Sequence, residues 1–379
     1  MRYISPWVIK DLKKKMVFIG GPRQCGKTTL AQELQGDYQN SVYFNWDDDR
    51  QRKKILERQW SKDHSLIILD ELHKFKRWKA WLKGVYDTEK SDHPFLVTGS
   101  ARLDVYRRGG DSLLGRYHYW RLHPFTLSEL PVEMKAEEAF ERLLKLGGFP
   151  EPFLQGDERE ARRWRRERLE RITRDDIRDL ENIRDIRTLE LLIDLLRTRV
   201  GGPIVIKNLA EDLQVSPQTV KHWLEVLERM YYIFLVYPFS TNLPRAILKP
   251  PKVYFYDNAD VDGDLGAKFE NLVATHLLKT LHFLEDRDGY RYHLRYLRDK
   301  EGREIDFVLL REKKICEIIE VKWRDEHISP SLGYYQEKLN APIATQMIGQ
   351  PLRKFEKGRI RIVSALEDLL QLERKSLVI

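Results

Sequence analysis

The sequence predicts an α/β protein in three parts: a P-loop parallel-sheet domain over residues 1–150, a helical and winged-helix segment over 151–240, and a smaller α/β domain over 241–379. Three observations lead there. A strand–loop–helix carrying G-x-x-x-x-G-K-T opens the chain, a helix-turn-helix pattern occupies its middle, and two charged strands follow an amphipathic helix near its end.

Gly21-Pro22-Arg23-Gln24-Cys25-Gly26-Lys27-Thr28 is a complete phosphate-binding loop. The apolar run Met16-Val17-Phe18-Ile19 reads as a buried strand before it, and Thr28 to Leu34 as the helix after it. That context separates a nucleotide site from a chance match. The glycines let backbone N–H groups wrap the β- and γ-phosphates of ATP, aided by the positive end of the helix. Lys27 adds a point charge on the β/γ oxygens, and Thr28 a hydroxyl for Mg²⁺. The expected nucleotide contacts run on to Thr29.

Leu66-Ile67-Ile68-Leu69-Asp70-Glu71 is an unbroken apolar strand ending in two carboxylates. Strands buried on both faces read this way in parallel sheets, and ligands collect at their carboxyl ends. Asp70 is expected to hold Mg²⁺, directly or through water, and Glu71 to act as general base toward the attacking water. A third run, Pro94 to Ser100, ends in hydroxyl residues. Ser100 or Thr98 is a candidate sensor of the γ-phosphate, with an ordinary strand-terminal turn as the alternative.

At 379 residues the chain accommodates about two or three domains, each with its own core. A composition 42% hydrophobic and 33% charged is too apolar for general disorder. No run approaches the roughly twenty apolar residues of a membrane span, and Met1-Arg2-Tyr3-Ile4-Ser5-Pro6 lacks the layout of a secretory signal. Two cysteines, Cys25 and Cys316, supply neither a disulfide framework nor a metal cluster, so the cytoplasm is the expected compartment. A net charge of +8 favours a polyanionic partner, nucleic acid before membrane. Because 67 basic residues stand against 59 acidic ones, an ion-pair-rich surface explains part of that excess. Self-association is left open.

Gly147-Gly148-Phe149-Pro150 reads as a turn opening a new unit. Beyond it, Glu158 to Arg187 mixes arginine with acid around a sparse apolar stripe of Trp164, Leu169, Ile172, Ile177 and Leu180. Surface helices laced with i,i+4 ion pairs are expected, an arginine ridge facing DNA being the alternative. From Ile206 to Phe239 the pattern is a helix-turn-helix with a wing. Leu209–Leu213 forms a first helix, Gln214–Ser216 the turn, and Ser216 with Pro217 starts a second helix. Val220, Trp223, Leu224 and Leu227 mark its inner face, leaving Gln218, Lys221, His222 and Glu225 outside, where a recognition helix reads the major groove. Glu225 and Glu228 oppose phosphate, and many such units serve as lids or protein contacts.

In the last third, Glu270 lies on an amphipathic helix that opens near Lys268. Arg303 to Leu309 is a strand carrying Asp306; a short polar turn leads to a second strand, Ile315 to Lys322, making an antiparallel hairpin. Glu320 and Lys322, two apart, project from one face. Carboxylates of Glu270, Asp306 and Glu320 meeting at one point form a hard oxygen site for Mg²⁺ or Mn²⁺, with Lys322 beside an attacking water. That order, an acid on a helix, Asp on a strand, then E-x-K, resembles the PD-(D/E)xK nuclease superfamily, which implies a restriction-endonuclease-like fold.

A wider resemblance rests on Gly20 to Thr29, on Leu69-Asp70-Glu71-Leu72-His73-Lys74 with Trp78, and on Thr98-Gly99-Ser100-Ala101-Arg102. Leu113-Leu114-Gly115-Arg116-Tyr117, Pro124-Phe125-Thr126-Leu127-Ser128-Glu129, Gly147 to Pro150 and Pro251-Lys252-Val253-Tyr254-Phe255-Tyr256-Asp257 extend it. Together these resemble a prokaryotic family of AAA-type P-loop ATPases fused to a C-terminal nuclease-like domain. The resemblance implies an AAA-like first domain and makes Arg116 a candidate arginine finger, or else a structural arginine. The expected function is ATP hydrolysis that gates or positions a metal-dependent nuclease on DNA. The rivals are a nucleotide-dependent switch whose C-terminal fold binds without cutting, and a DNA-binding regulator with a slow ATPase.

Overall fold

Runs that are apolar on both faces become central strands of a parallel sheet, because only burial on two sides suits them. The computed structural model describes residues 2–90, 93–99, 113–131, 133–177, 183, 185–240, 249–324, 327–350 and 355–372. The chain divides into two units, Met1–Pro124 and Phe125–Ile379.

In the first unit α1 (Ser5–Leu12) precedes β1 (Met16–Gly20), and the glycine loop leads from there into α2 (Lys27–Gln35). β2 (Ser41–Asn45), α3 (Asp49–Leu56), β3 (Leu66–Asp70), α4 (Trp78–Glu89), β4 (Phe95–Thr98) and β5 (Tyr117–Arg121) follow. The strands pair parallel in the order β2-β3-β4-β1-β5, and β1, β3 and β4 are buried throughout. On one face, Phe18 stacks on Tyr117 at 4.4 Å between ring centroids and packs against Trp78. Since every strand runs the same way, the ends of β1, β3 and β4 share one edge of the sheet.

The second unit begins with α5 (Ala136–Leu146), α6 (Pro150–Gln155), α7 (Glu158–Arg171) and α8 (Ile186–Arg197). On α7, Arg162–Glu158, Arg163–Glu160 and Arg166–Glu170 pair along the helix on its exposed side, as a solvated face requires. Arg168 instead turns inward, its guanidinium 4.0 Å from the Phe149 ring centroid and 3.4 Å from Asp260. Leu180, expected on the same stripe, lies outside the described residues.

The helix-turn-helix pattern folds as α9 (Ile206–Leu213) and α10 (Pro217–Arg229). Ser216 caps α10 by accepting from the Thr219 N–H at 3.0 Å. Val220, Trp223, Leu224 and Leu227 are buried; Gln218, Lys221 and Glu225 are exposed and His222 is half-buried. The chain continues through β6 (Ile233–Pro238), β7 (Lys252–Phe255), α11 (Leu265–Asp288), β8 (Tyr292–Arg298), β9 (Glu304–Arg311) and β10 (Lys314–Lys322). It closes with α12 (Pro330–Leu339), β11 (Ala344–Ile348), β12 (Phe355–Lys357), β13 (Ile360–Ser364) and α13 (Ala365–Leu370).

Strands β6 to β13 form one mixed eight-stranded sheet, ordered β12-β13-β11-β10-β9-β8-β6-β7. β6 pairs antiparallel with β7, and its Tyr237 and Pro238 pair parallel with Arg295 and Tyr296 of β8. The strand that follows α10 therefore belongs to the same sheet as the charged hairpin.

Candidate functional site

The phosphate loop leaves β1 under tight steric control. Gly21 has φ 141°, and a Cβ there would lie 2.2 Å from the Leu122 carbonyl oxygen, so only glycine lets the loop pass β5. Gln24 also takes a left-handed conformation. Lys27 is buried and arches over the loop, donating to the carbonyls of Gly21 at 3.1 Å and Pro22 at 2.6 Å. Cys25 is buried, its carbonyl held by the Arg2 guanidinium at 2.8 Å, while the same guanidinium donates to His123 at 2.6 Å. Nothing in the loop motif announced this role for Arg2. Thr28 and Thr29 are exposed at the start of α2, and Arg23 is half-buried beside them in the chain.

Asp70 sits buried at the end of β3 under three hydroxyls. Thr28 donates to its Oδ2 at 2.7 Å and Tyr43 to the same oxygen at 2.6 Å, while Thr98 donates to Oδ1. Burial first, and then the Asp70 carboxylate, push the Tyr43 phenol well above its ordinary range. Tyr43, on β2, belongs to no motif and was missed; its only sequence signal is a tyrosine on the strand next to the acidic one. Ser100, the other candidate sensor, lies outside the described residues.

Glu71 follows with a left-handed backbone, φ 55°. Its carboxylate lies 3.3 Å from Lys74 Nζ and 3.6 Å from His73 Nε2, and Lys74 also pairs with Asp47. The Thr28 hydroxyl and Asp70 carboxylate are hard oxygen donors already in contact, and so fit Mg²⁺ beside a nucleotide.

Arg116, the candidate arginine finger, lies at the other end of β1 from the phosphate loop. Its carbonyl accepts from the Met16 N–H, at the amino end of β1, whereas the phosphate loop leaves the carboxyl end. Four residues of strand separate the two, about 13 Å at roughly 3.3 Å per residue. The guanidinium grips Asp87 at 2.7 and 3.0 Å. Within its own chain Arg116 thus lies away from the phosphate loop.

In the second unit the expected acids do come near one another. Asp264 caps α11 by accepting from Ala267 N–H at 2.8 Å, setting Glu270 in the first turns of that helix. β9 and β10 pair through Phe307 and Ile319, with Asp306 and Glu320 each one residue further on. The Val321 N–H donates to Asp306 Oδ2 at 2.9 Å, and Lys322 Nζ lies 2.9 Å from Glu320 Oε1.

Between the acids lies a residue read only as part of a family signature. Lys252 of β7, with a side chain 1% exposed, places Nζ 3.3 Å from Glu270, 3.3 Å from Asp306 and 2.6 Å from Glu304. Tyr254 donates to Glu270 at 2.6 Å. Burial opposes the ammonium charge, but Glu270, Asp306 and Glu304 outweigh it and hold the Lys252 group above its ordinary range. Burial, and then the Asp306 charge, push Glu270 and Glu320 each up to about 7.

Glu270, Asp306 and Glu320 are the expected Mg²⁺ or Mn²⁺ ligand set; here Glu270 and Asp306 face the Lys252 ammonium, and Glu320 is paired with Lys322. Among the described residues no group of three or more His, Cys, Asp or Glu is disposed to hold a metal. Among the described residues no helix is long and apolar enough to cross a membrane.

Residues 13–131 match the family described as AAA domain, which together with the parallel sheet and its loop makes this an AAA-type P-loop domain. Residues 137–259 and 265–364 match two families described as domains of unknown function, DUF8612 and DUF4143. An uncharacterized protein of Mycobacterium tuberculosis is 24% identical over 244 residues, covering 64% of this chain and 54% of that protein. Another, of Methanocaldococcus jannaschii, is 24% identical over 298 residues, covering 65% of this chain and 62% of that protein. This chain thus spans little more than half the length of the curated relatives it matches.

Among solved structures, a Walker-type ATPase of Pyrococcus abyssi has a TM-score of 0.42 at 16% identity, covering 68% of this chain and 93% of that one. The Aeropyrum pernix Orc1 protein, solved in complex with DNA, has a TM-score of 0.33 at 12% identity, covering 72% and 90%. With TM-scores below 0.5, neither likeness bears on what this chain does.

Proposed function

We propose that this chain is a cytoplasmic, Mg²⁺-dependent ATPase that works as a nucleotide-driven switch on DNA, its C-terminal nuclease-like fold binding without cutting. One observation carries the ATPase reading: the contact between Thr28 and Asp70 at 2.7 Å, beside the buried Lys27. In this reading Lys27 leaves the Gly21 and Pro22 carbonyls for the β/γ-phosphate oxygens. Thr28 and Asp70 hold the Mg²⁺, Tyr43 and Thr98 orient Asp70, and Glu71 accepts the proton of the attacking water. Mg²⁺ held by Thr28 and Asp70 would supply the charge that offsets the one developing on the phosphate.

The positive net charge and the exposed Lys221 of a winged-helix-like α10 support DNA as the partner. Lys252 is why cutting ranks second, since its ammonium stands where a nuclease reading requires a metal. Phosphate release from Mg²⁺-ATP, with and without duplex DNA, tests the first part. Absence of turnover in both would refute it. Cleavage of DNA with Mg²⁺ or Mn²⁺ that disappears in Asp306→Asn would install the metal-nuclease reading instead.

A further inference from the structure

We infer that Lys252 is the resident cation of the C-terminal carboxylate cluster, and that its ammonium closes this site to divalent metals. The inference deepens the reading of a fold that does not cut, and rests on it.

An ammonium has three N–H donors and no acceptor. Three carboxylate oxygens surround Lys252 Nζ, those of Glu304 at 2.6 Å and of Glu270 and Asp306 at 3.3 Å. Its donor capacity is therefore matched, acid for proton, by the groups that would otherwise bind a metal. Other donors reach those acids as well. Tyr254 donates to Glu270, the Val321 N–H to Asp306, and Arg298 lies 3.2 Å from Glu304.

The lysine has little room to leave. Its backbone pairs with Val236 on one side and bridges to Pro203 on the other. The turn before Pro203 packs onto the cluster: a Cβ on Gly201, whose φ is 75°, would lie 2.8 Å from Glu270 Oε2. A swing of the side chain outward would leave Glu270 and Asp306 without its charge. Glu320 Oε2 is buried and accepts no hydrogen bond among the described residues. The cluster thus holds the donor chemistry of a metal site with a protein cation already installed.

Removing that cation should therefore create a metal site. The test uses the full chain without nucleotide, with free Mn²⁺ followed by electron paramagnetic resonance and melting followed by circular dichroism. Wild type and Lys252→Arg should bind no Mn²⁺ in a manner sensitive to Asp306→Asn. Lys252→Met should bind about one additional Mn²⁺ per chain, at least about tenfold tighter than wild type, and melt higher when Mn²⁺ is added. The double variant Lys252→Met, Asp306→Asn should lose both effects. A folded Lys252→Met chain that gains no Mn²⁺ overturns the inference. So does wild-type Mn²⁺ binding that Asp306→Asn abolishes, and this arm decides the matter even if Lys252→Met does not fold. Asp306-dependent Mn²⁺ binding by wild type without DNA cleavage would sink this inference alone; metal-independent cleavage would sink the non-cutting reading alone.

Discussion

Replacing Glu71 by glutamine isolates the charge of the proposed base. Gln and Glu share size, hydrogen-bonding reach and the same cost in the left-handed backbone at φ 55°, so the variant changes little else. The structural cost is the ion pair to Lys74 at 3.3 Å, between side chains 19% and 28% exposed. Screened to that degree, it is worth about 0.2–1 kcal/mol, and Lys74 keeps its contact with Asp47. A general base contributes about 10²–10⁴ in rate, or roughly 2.7–5.4 kcal/mol of barrier. The barrier should therefore move several times further than stability. Phosphate release under saturating Mg²⁺-ATP, read beside nucleotide affinity and thermal melting, should show kcat down by about 10²–10⁴ with affinity held within about threefold. Lys74→Ala removes the pair but leaves the carboxylate, and should keep turnover within about threefold of wild type. Wild-type kcat in Glu71→Gln, or an equal fall in Lys74→Ala, would refute Glu71 as the base.

Lys27→Ala should abolish nucleotide binding measured with a fluorescent ATP analogue, because it removes the charge that replaces the Gly21 and Pro22 contacts. Lys221→Glu should weaken duplex DNA binding at low salt and lower the slope of affinity against salt by about one, measured by anisotropy. Arg116→Ala should leave turnover per chain unchanged in dilute solution, since its guanidinium faces Asp87. His276 accepts from the Leu127 N–H at 3.0 Å and is driven down to about 3 by burial. Its folded value lies below the unfolded one near 6.5, so below pH 6.5 the unfolded chain takes the proton first. Stability falls with pH by about 1.4 kcal/mol per unit, about 2 kcal/mol by pH 5, and urea titrations should show His276→Asn escaping that loss.

The phosphate loop and the acid-ended strand were legible because their chemistry depends on residues close in sequence. So was helix α10, whose cap, first-turn proline and buried positions all lie within one short segment. What escaped depends on register and tertiary contact. Where Arg116 lies depends on the parallel pairing of β1 and β5, which sets it beside Met16, at the end of β1 away from the phosphate loop. Tyr43 reaches Asp70 only because β2 lies next to β3, which no spacing within β2 encodes. Lys252 hid in an apolar run, where its sole sign was the anomaly of a lysine that the fold buries completely. Glu270, Asp306, Glu320 and Lys322 were found by order and alternation, but neither says which cation they surround.

The pinning of Lys252 gives the second unit a mechanical property. Its strand is held by rungs on both sides: Val236, reached directly from α10, and the stretch around Pro203 that leads into α9, where the Ile204 N–H donates to Pro251. The two helices thus enter and leave the ribbon that carries the ammonium, like two hands on one crank. The strand that holds Lys252 among Glu270, Glu304 and Asp306 is thus tied by backbone to the segments that flank both helices.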